Sequence, residues 1–199
     1  MKLYKITSKN GETHGGYKWP LPTKKRGKWI PGAWTEPVEG ELEACENGYH
    51  LTDADHLLEW ANEEMYEVEY EGELVEGDDK YVVRSARLTK RIETWNDKTL
   101  RLFAVWCARN ALALVDNPDE RSVNAVDVAE RYANGKATKE ELAAAWDAAW
   151  GAARTATRDA AWDAARDTAR AAAWDADWGA AVDAQYDKLK KMLGIRITG

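Results

Sequence analysis

Residues 147–194, cut every twelve positions, read DAAWGAARTATR, DAAWDAARDTAR, AAAWDADWGAAV and DAQYDKLKKMLG. The fourth position of each block is Trp150, Trp162, Trp174 and Tyr186; the eighth is Arg154, Arg166, Trp178 and Lys190. Alanine dominates the rest, so the stretch is helical by propensity. Twelve residues rotate a helix by a net angle of about 120°, so the repeated tryptophans point in three directions. Counted through one continuous helix, Leu142, Trp146, Trp150, Trp178, Val182, Tyr186, Leu189 and Leu193 share a face, and the middle offers mainly alanine there. About 55 unbroken residues would span about 80 Å, too long for a domain of this size. The spacing therefore predicts a break within Arg154–Asp159 and close packing of alanine faces.

Upstream, two more amphipathic helices are expected. Leu100, Phe103, Ala104, Cys107, Ala108, Ala111, Leu112 and Val115 follow helical spacing, interrupted at Asn117-Pro118. Ser122, Ala125, Val126, Ala129 and Tyr132 do the same, closed by Asn134-Gly135. Thr138 and Glu141 form a capping box that opens a third helix. Residues 96–199 are thus expected to be an all-α, Ala-rich antiparallel helical bundle.

Residues 1–95 read as a small mixed α/β domain, which makes the expected fold class α+β. Lys2 to Thr7 suits a short strand, and Tyr49 to Leu51 another. Thr52 or Asp53 is placed to cap a helix carrying Leu57, Leu58 and Ala61. Met65 to Glu73 alternates Tyr66, Val68 and Tyr70 against Glu67, Glu69 and Glu71, the pattern of a half-exposed antiparallel strand. Tyr81 to Ile92 follows as its partner, with Val82, Ala86 and Leu88 inside.

Between residues 17 and 37 lie Tyr17, Trp19, Pro20, Pro22, Trp29, Pro31, Trp34 and Pro37. Prolines at that density exclude a regular helix and a central strand. Such a loop either packs on its own aromatics as a lid or walls a pocket. Charge is segregated around it. Residues 1–28 hold eight Lys/Arg against Glu12, and residues 36–79 hold seventeen Asp/Glu with no Lys or Arg. Either the basic stretch folds back on the acidic one, or it forms a patch that receives an anion.

The net charge of −7 argues against a DNA binder. Cys45 and Cys107 lie far apart without ligand spacing, which suggests a reducing compartment rather than a disulfide framework. His14, His50 and His56 lack the spacing of a metal motif. No apolar run reaches membrane-spanning length, and no leader pattern follows Met1, so a cytoplasmic protein is expected. No metal or cofactor is expected in the leading reading. Candidate ligand-binding residues are Lys28, Trp29, Trp34, Tyr49, His50, Thr52 and Arg87. They pair aromatic faces with cations and the chain's most central imidazole. His50, centred in an apolar strand, reads first as a satisfied core residue and second as a catalytic group.

Two resemblances extend this. Arg101-Leu102-Phe103-Ala104, Cys107-Ala108-Arg109, Pro118-Asp119-Glu120-Arg121 and Ala125-Val126, with Gly135 before the alanine run, resemble the immunity-protein family associated with bacterial polymorphic toxins. Leu3-Tyr4-Lys5, Trp19-Pro20-Leu21-Pro22, Gly27-Lys28-Trp29, Cys45-Glu46-Asn47-Gly48-Tyr49-His50 and Arg84-Ser85-Ala86-Arg87-Leu88 resemble an uncharacterised family of phage-encoded proteins. Together they imply a phage product in the bacterial host cytoplasm. Its expected role is a non-enzymatic binding protein that antagonises a defence or toxin system, by holding a host defence protein or a nucleotide-like small molecule. A homo-oligomer through the Ala-rich helices would fit the same picture. Gly48-Tyr49-His50-Leu51-Thr52 is also similar to the second motif of ADP-ribosyltransferase-like folds, which implies an alternative enzyme acting with NAD. A helical interaction scaffold is a third reading.

Overall fold

The computed structural model describes residues 1–13, 15–150 and 171–195. They fall into two compact units, Met1–Asn96 with Leu193–Ile195, and Asp97–Met192.

The first unit is organised by a four-stranded antiparallel sheet in the order β1 (Tyr4–Thr7), β5 (Glu64–Glu76), β6 (Tyr81–Arg91), β4 (Tyr49–Leu51). The alternation of Tyr66, Val68 and Tyr70 sets the β5–β6 register, which pairs Val68 with Leu88 and Tyr70 with Ala86. Two irregularities, at Glu67/Val68 and Glu71/Leu74, insert extra residues and bend the ribbon. Gly72, at φ 82°, sits in the second. The sheet curls far enough that Tyr4 and Thr52 exchange backbone hydrogen bonds (2.7 and 2.9 Å), which links β1 to the end of β4. A cluster of Leu3, Trp19, Leu51, Tyr66, Val83 and Leu88 fills the curl. Val82, Met65, Leu57 and Trp95 are equally sealed from solvent, so β6 is buried on both faces along much of its length.

The proline-rich loop is not a detached lid. Gly32, Thr35 and Val38 donate backbone N–H groups to Leu88, Ala86 and Arg84, so the loop runs along β6 where β4 has ended. Gly32 has no alternative, because a Cβ there would stand 2.2 Å from the Pro20 carbonyl oxygen. Within the loop, β2 (Thr23–Lys25) and β3 (Lys28–Ile30) form a hairpin. Arg26 and Gly27 turn it with φ of 49° and 80°, the positive pair that a two-residue hairpin turn requires.

The helix expected after Thr52 is absent. Residues 54–60 are bends followed by turns. The Asp53 carboxylate accepts from the Asp55 N–H (2.9 Å) and meets His56 Nδ1 (2.8 Å), so the side chain that would cap a helix closes a local turn instead.

In the second unit, α1 spans Asp97–Ala113 and α2 spans Glu120–Ala133. The Asp119 carboxylate caps α2 by accepting from the Arg121 N–H at 2.8 Å. Gly135, at φ 69°, ends it. Residues 139–150 form α3, opened by reciprocal bonds between Thr138 and Glu141 (2.7 and 3.2 Å). Ala171–Leu193 forms α4.

The expected all-α, Ala-rich antiparallel helical bundle is not found. The chain is a mixed α/β fold, and its described residues hold a curled four-stranded antiparallel sheet, the β2–β3 hairpin and four helices. Trp146 and Trp150, expected on a packed seam, are 60% and 57% exposed and stack on each other at 5.6 Å. Alanine explains the failure. Each methyl is worth only about 0.8 kcal/mol when buried, so a face of alanines gives little drive to zip helices together. The break expected within Arg154–Asp159 lies outside the described residues.

Candidate functional site

Gly48 decides how β4 enters the sheet. Its φ is 128°, and a Cβ there would lie 2.3 Å from Val82 Cγ1. Tyr49, His50 and Leu51 then pair with Val83, Val82 and Tyr81. Strand alternation sends Tyr49 and His50 to opposite faces. Tyr49 stands edge-on to Trp19 (5.5 Å) and Tyr17 (5.3 Å), and its hydroxyl donates to the Glu36 carbonyl at 2.9 Å. Thr52 is 3% exposed and serves the backbone closure with Tyr4.

His50 Nε2 accepts the Cys45 N–H at 2.8 Å, which assigns the proton of a neutral ring to Nδ1. Burial lowers its pKa, and the Lys5 and Lys80 charges push the same way. Lys5 Nζ donates to the His50 carbonyl at 2.6 Å and lies 5.3 Å from the Trp19 ring centroid. Burial brings its pKa down to about 8. Lys80 reaches Asp79 (3.1 Å), Cys45 Sγ (3.3 Å) and the Trp60 ring (4.8 Å). Two amines, an imidazole and a thiol thus gather around β4, where the curl brings β1 to its end. The cavity between Lys5, His50, Thr52 and Trp60 is only about 20 Å³, the space of roughly one water molecule.

The remaining candidates lie elsewhere in the first unit. Lys24 sits 5.5 Å from the Trp29 centroid and bonds Glu93 at 2.8 Å. Lys28 is exposed opposite Lys25 in the hairpin. Arg87 lies 4.7 Å from the Trp34 centroid and its Nε donates to Glu69 at 2.7 Å. Trp34 and Arg87 therefore meet, and so do His50 and the Lys5 amine, but the water-sized cavity beside His50 takes in only His50 and Thr52 of the seven. Several basic residues fold back on acids, with Lys2 bonding Glu67 at 2.8 Å and Lys9 reaching Glu63 at 3.7 Å.

The larger space is in the helical unit. α1, α2 and α3 enclose a groove of about 590 Å³. Ala104 and Ala108 form one wall, Ala125 and Ala129 the second, Leu142 and Trp146 the third. Small side chains at these facing positions leave the space between the helices unfilled. Arg101 is the one charged residue in the lining, at the end where its guanidinium lies 5.1 Å from the Tyr132 ring centroid. Its carboxylate neighbour is Asp97, at a long 3.5 Å. Arg109 is occupied by Asp127 (2.9 Å) and Glu130, which bridges α1 to α2. The alanine spacing on α1 and α2 was the available signal for this groove, although the same spacing describes a packed face.

Among the described residues no group of three or more His, Cys, Asp or Glu could hold a metal ion, and no helix is long and apolar enough to cross a membrane. Comparison with known proteins returns no match to family models, to curated proteins or to solved structures.

Proposed function

We propose that the chain is a non-enzymatic binding protein whose binding element is the groove between α1, α2 and α3. The observation that carries this is a concave space of about 590 Å³ with an apolar lining and one cation at its end. Ligand sites are of this size and character. An apolar ligand or the apolar part of a partner fits that lining. A nucleotide-like signal fits it less well, because a phosphate chain needs several donors and the groove offers one guanidinium. The phage and immunity-protein resemblances supply the setting: a phage product that blocks a defence or toxin system in the bacterial cytoplasm.

The ADP-ribosyltransferase alternative has less support. It needs Tyr49, His50 and Thr52 around one NAD molecule, whereas Tyr49 and His50 occupy opposite faces and the cavity beside His50 is water-sized.

An environment-sensitive apolar dye such as anilinonaphthalenesulfonate tests the groove. Its fluorescence should rise on binding the full chain and fall to background with Ala104→Trp, which fills the groove from an exposed position. Equal dye binding by the variant would place the apolar site elsewhere and end this reading.

A further inference from the structure

A binding function in the groove leaves one cluster of the first unit without a role, the Cys45 thiol and the Lys80 amine. Lys80 Nζ lies 3.3 Å from Cys45 Sγ. The Lys80 side chain is only 14% exposed, bonded to Asp79 at 3.1 Å and laid over the Trp60 ring. Cys45 sits at φ 70° in a turn closed by Glu43 and Asn47, with its N–H held by His50. An amine is thus fixed against a sulfur by contacts that the sulfur does not make. Cys45 is also exposed, so a small oxidant reaches it.

A thiol that meets a peroxide becomes a sulfenic acid, and a neighbouring nucleophile then resolves it. Redox-sensing sites often supply a second cysteine for that step. Here the only other cysteine is Cys107, which belongs to the helical unit. The nucleophile beside Cys45 is an amine, and sulfenic acids condense with nitrogen to sulfenamides.

We propose that Cys45 and Lys80 together form a redox modification site, in which hydrogen peroxide joins Sγ to Nζ as a sulfenamide. First the sulfur takes one oxygen from peroxide, the O–O bond breaks, and the other oxygen leaves as water; sulfur is oxidised and peroxide reduced. Then the Lys80 amine attacks that sulfur, the S–O bond breaks, and the hydroxyl leaves with an amine proton as water. Thiol, amine and one peroxide give the link and two waters, a net loss of two hydrogens. Attack needs the amine's free electron pair. The bond to Asp79 holds the proton on Lys80 and raises its pKa, so alkaline pH favours the second step. The link closes residues 45–80 into a loop that a dithiol reductant reopens, and it is independent of the groove.

Trypsin reads the site directly, because no Lys or Arg lies between Lys28 and Lys80. Digestion of the untreated chain releases the peptide 29–80, which contains Cys45. The link masks the Lys80 amine. After peroxide treatment of the folded full chain at pH 9, the unreduced digest should therefore yield a peptide running on to Arg84, two hydrogens lighter than its sequence requires. Dithiothreitol before digestion should restore cleavage at Lys80. Chain treated in urea should not form the link, because the fold no longer holds the two atoms together. Lys80→Met, its fold checked by circular dichroism, should instead carry sulfinic or sulfonic acid on Cys45. Release of peptide 29–80 from the folded chain with the added oxygens localised on Cys45 overturns the proposal. So does a disulfide from Cys45 to Cys107 or to another copy.

Discussion

The sheet unit and the helical unit solve opposite packing problems. The first is built around large side chains, including Trp19, Tyr66, Leu88 and Trp95, and they close its interior until the cavity beside His50 holds about 20 Å³. The second brings three helices together with alanines on their facing surfaces and keeps about 590 Å³ open. Tryptophan advertises itself as a ligand platform, yet Trp19 is spent on the core and Trp34 on a surface contact with Arg87. Alanine looks inert, and its small volume is what leaves room. Side-chain size at facing positions therefore separates the structural unit from the one with space for a ligand.

Exchanging the two regimes gives the largest expected effect. Trp19→Ala should cost about 3–5 kcal/mol of unfolding free energy, read by urea titration, the usual range for removing a buried large aromatic. Ala104→Trp, at an exposed groove position, should change stability by less than about 1 kcal/mol. Similar losses for the two would mean that the groove is a packed core.

Lys5 gives the next effect. It is a charged amine among the core residues, and burial lowers its pKa from 10.5 to about 8. Between those pH values the unfolded chain binds more protons than the folded one, so stability rises with pH across that window. Below pH 8 the whole penalty of burying the cation is present. Lys5→Met should therefore raise stability at pH 7 by about 1–3 kcal/mol, after allowing for the lost bond to the His50 carbonyl. The gain should shrink between pH 8 and 10.5. Urea titrations at pH 7, 9 and 10 read this directly, and a gain that stays constant with pH would show that Lys5 is not held at a depressed pKa.

Arg109 is the smallest case. It joins Asp127 and Glu130 across α1 and α2, but all three side chains are about half exposed. Arg109→Ala should cost no more than about 1 kcal/mol, and less in high salt. A larger loss would mean that ion pairs rather than apolar contacts hold the α1–α2 pair.

How much of this the chain discloses depends on the range of each interaction. β5 was legible because Tyr66, Val68 and Tyr70 alternate with glutamates, a local pattern that one buried face imposes. The Thr138/Glu141 capping box was legible for the same reason. The β2–β3 hairpin was not, since its strands are short and exposed and its turn uses Arg26-Gly27 rather than Asn-Gly. Residues 53–60 misled because an aspartate that can cap a helix can also close a turn. The candidate site divided in the same way. Trp34 with Arg87, and His50 with its cationic neighbours, were visible as chemistry, but strand alternation and the turn at Gly48 distribute them over separate faces. The groove was hidden by a tertiary fact. Ala104, Ala108, Ala125 and Ala129 have the spacing of a packed face, and nothing local says whether a neighbouring side chain fills the space opposite.

The most direct test of a binding function seated in that space is titration of the apolar dye into the full chain and into Ala104→Trp, with urea unfolding of both in parallel. Saturable binding at one dye per chain, lost in a variant of unchanged stability, is the expected result. Undiminished binding by a stably folded Ala104→Trp would contradict it.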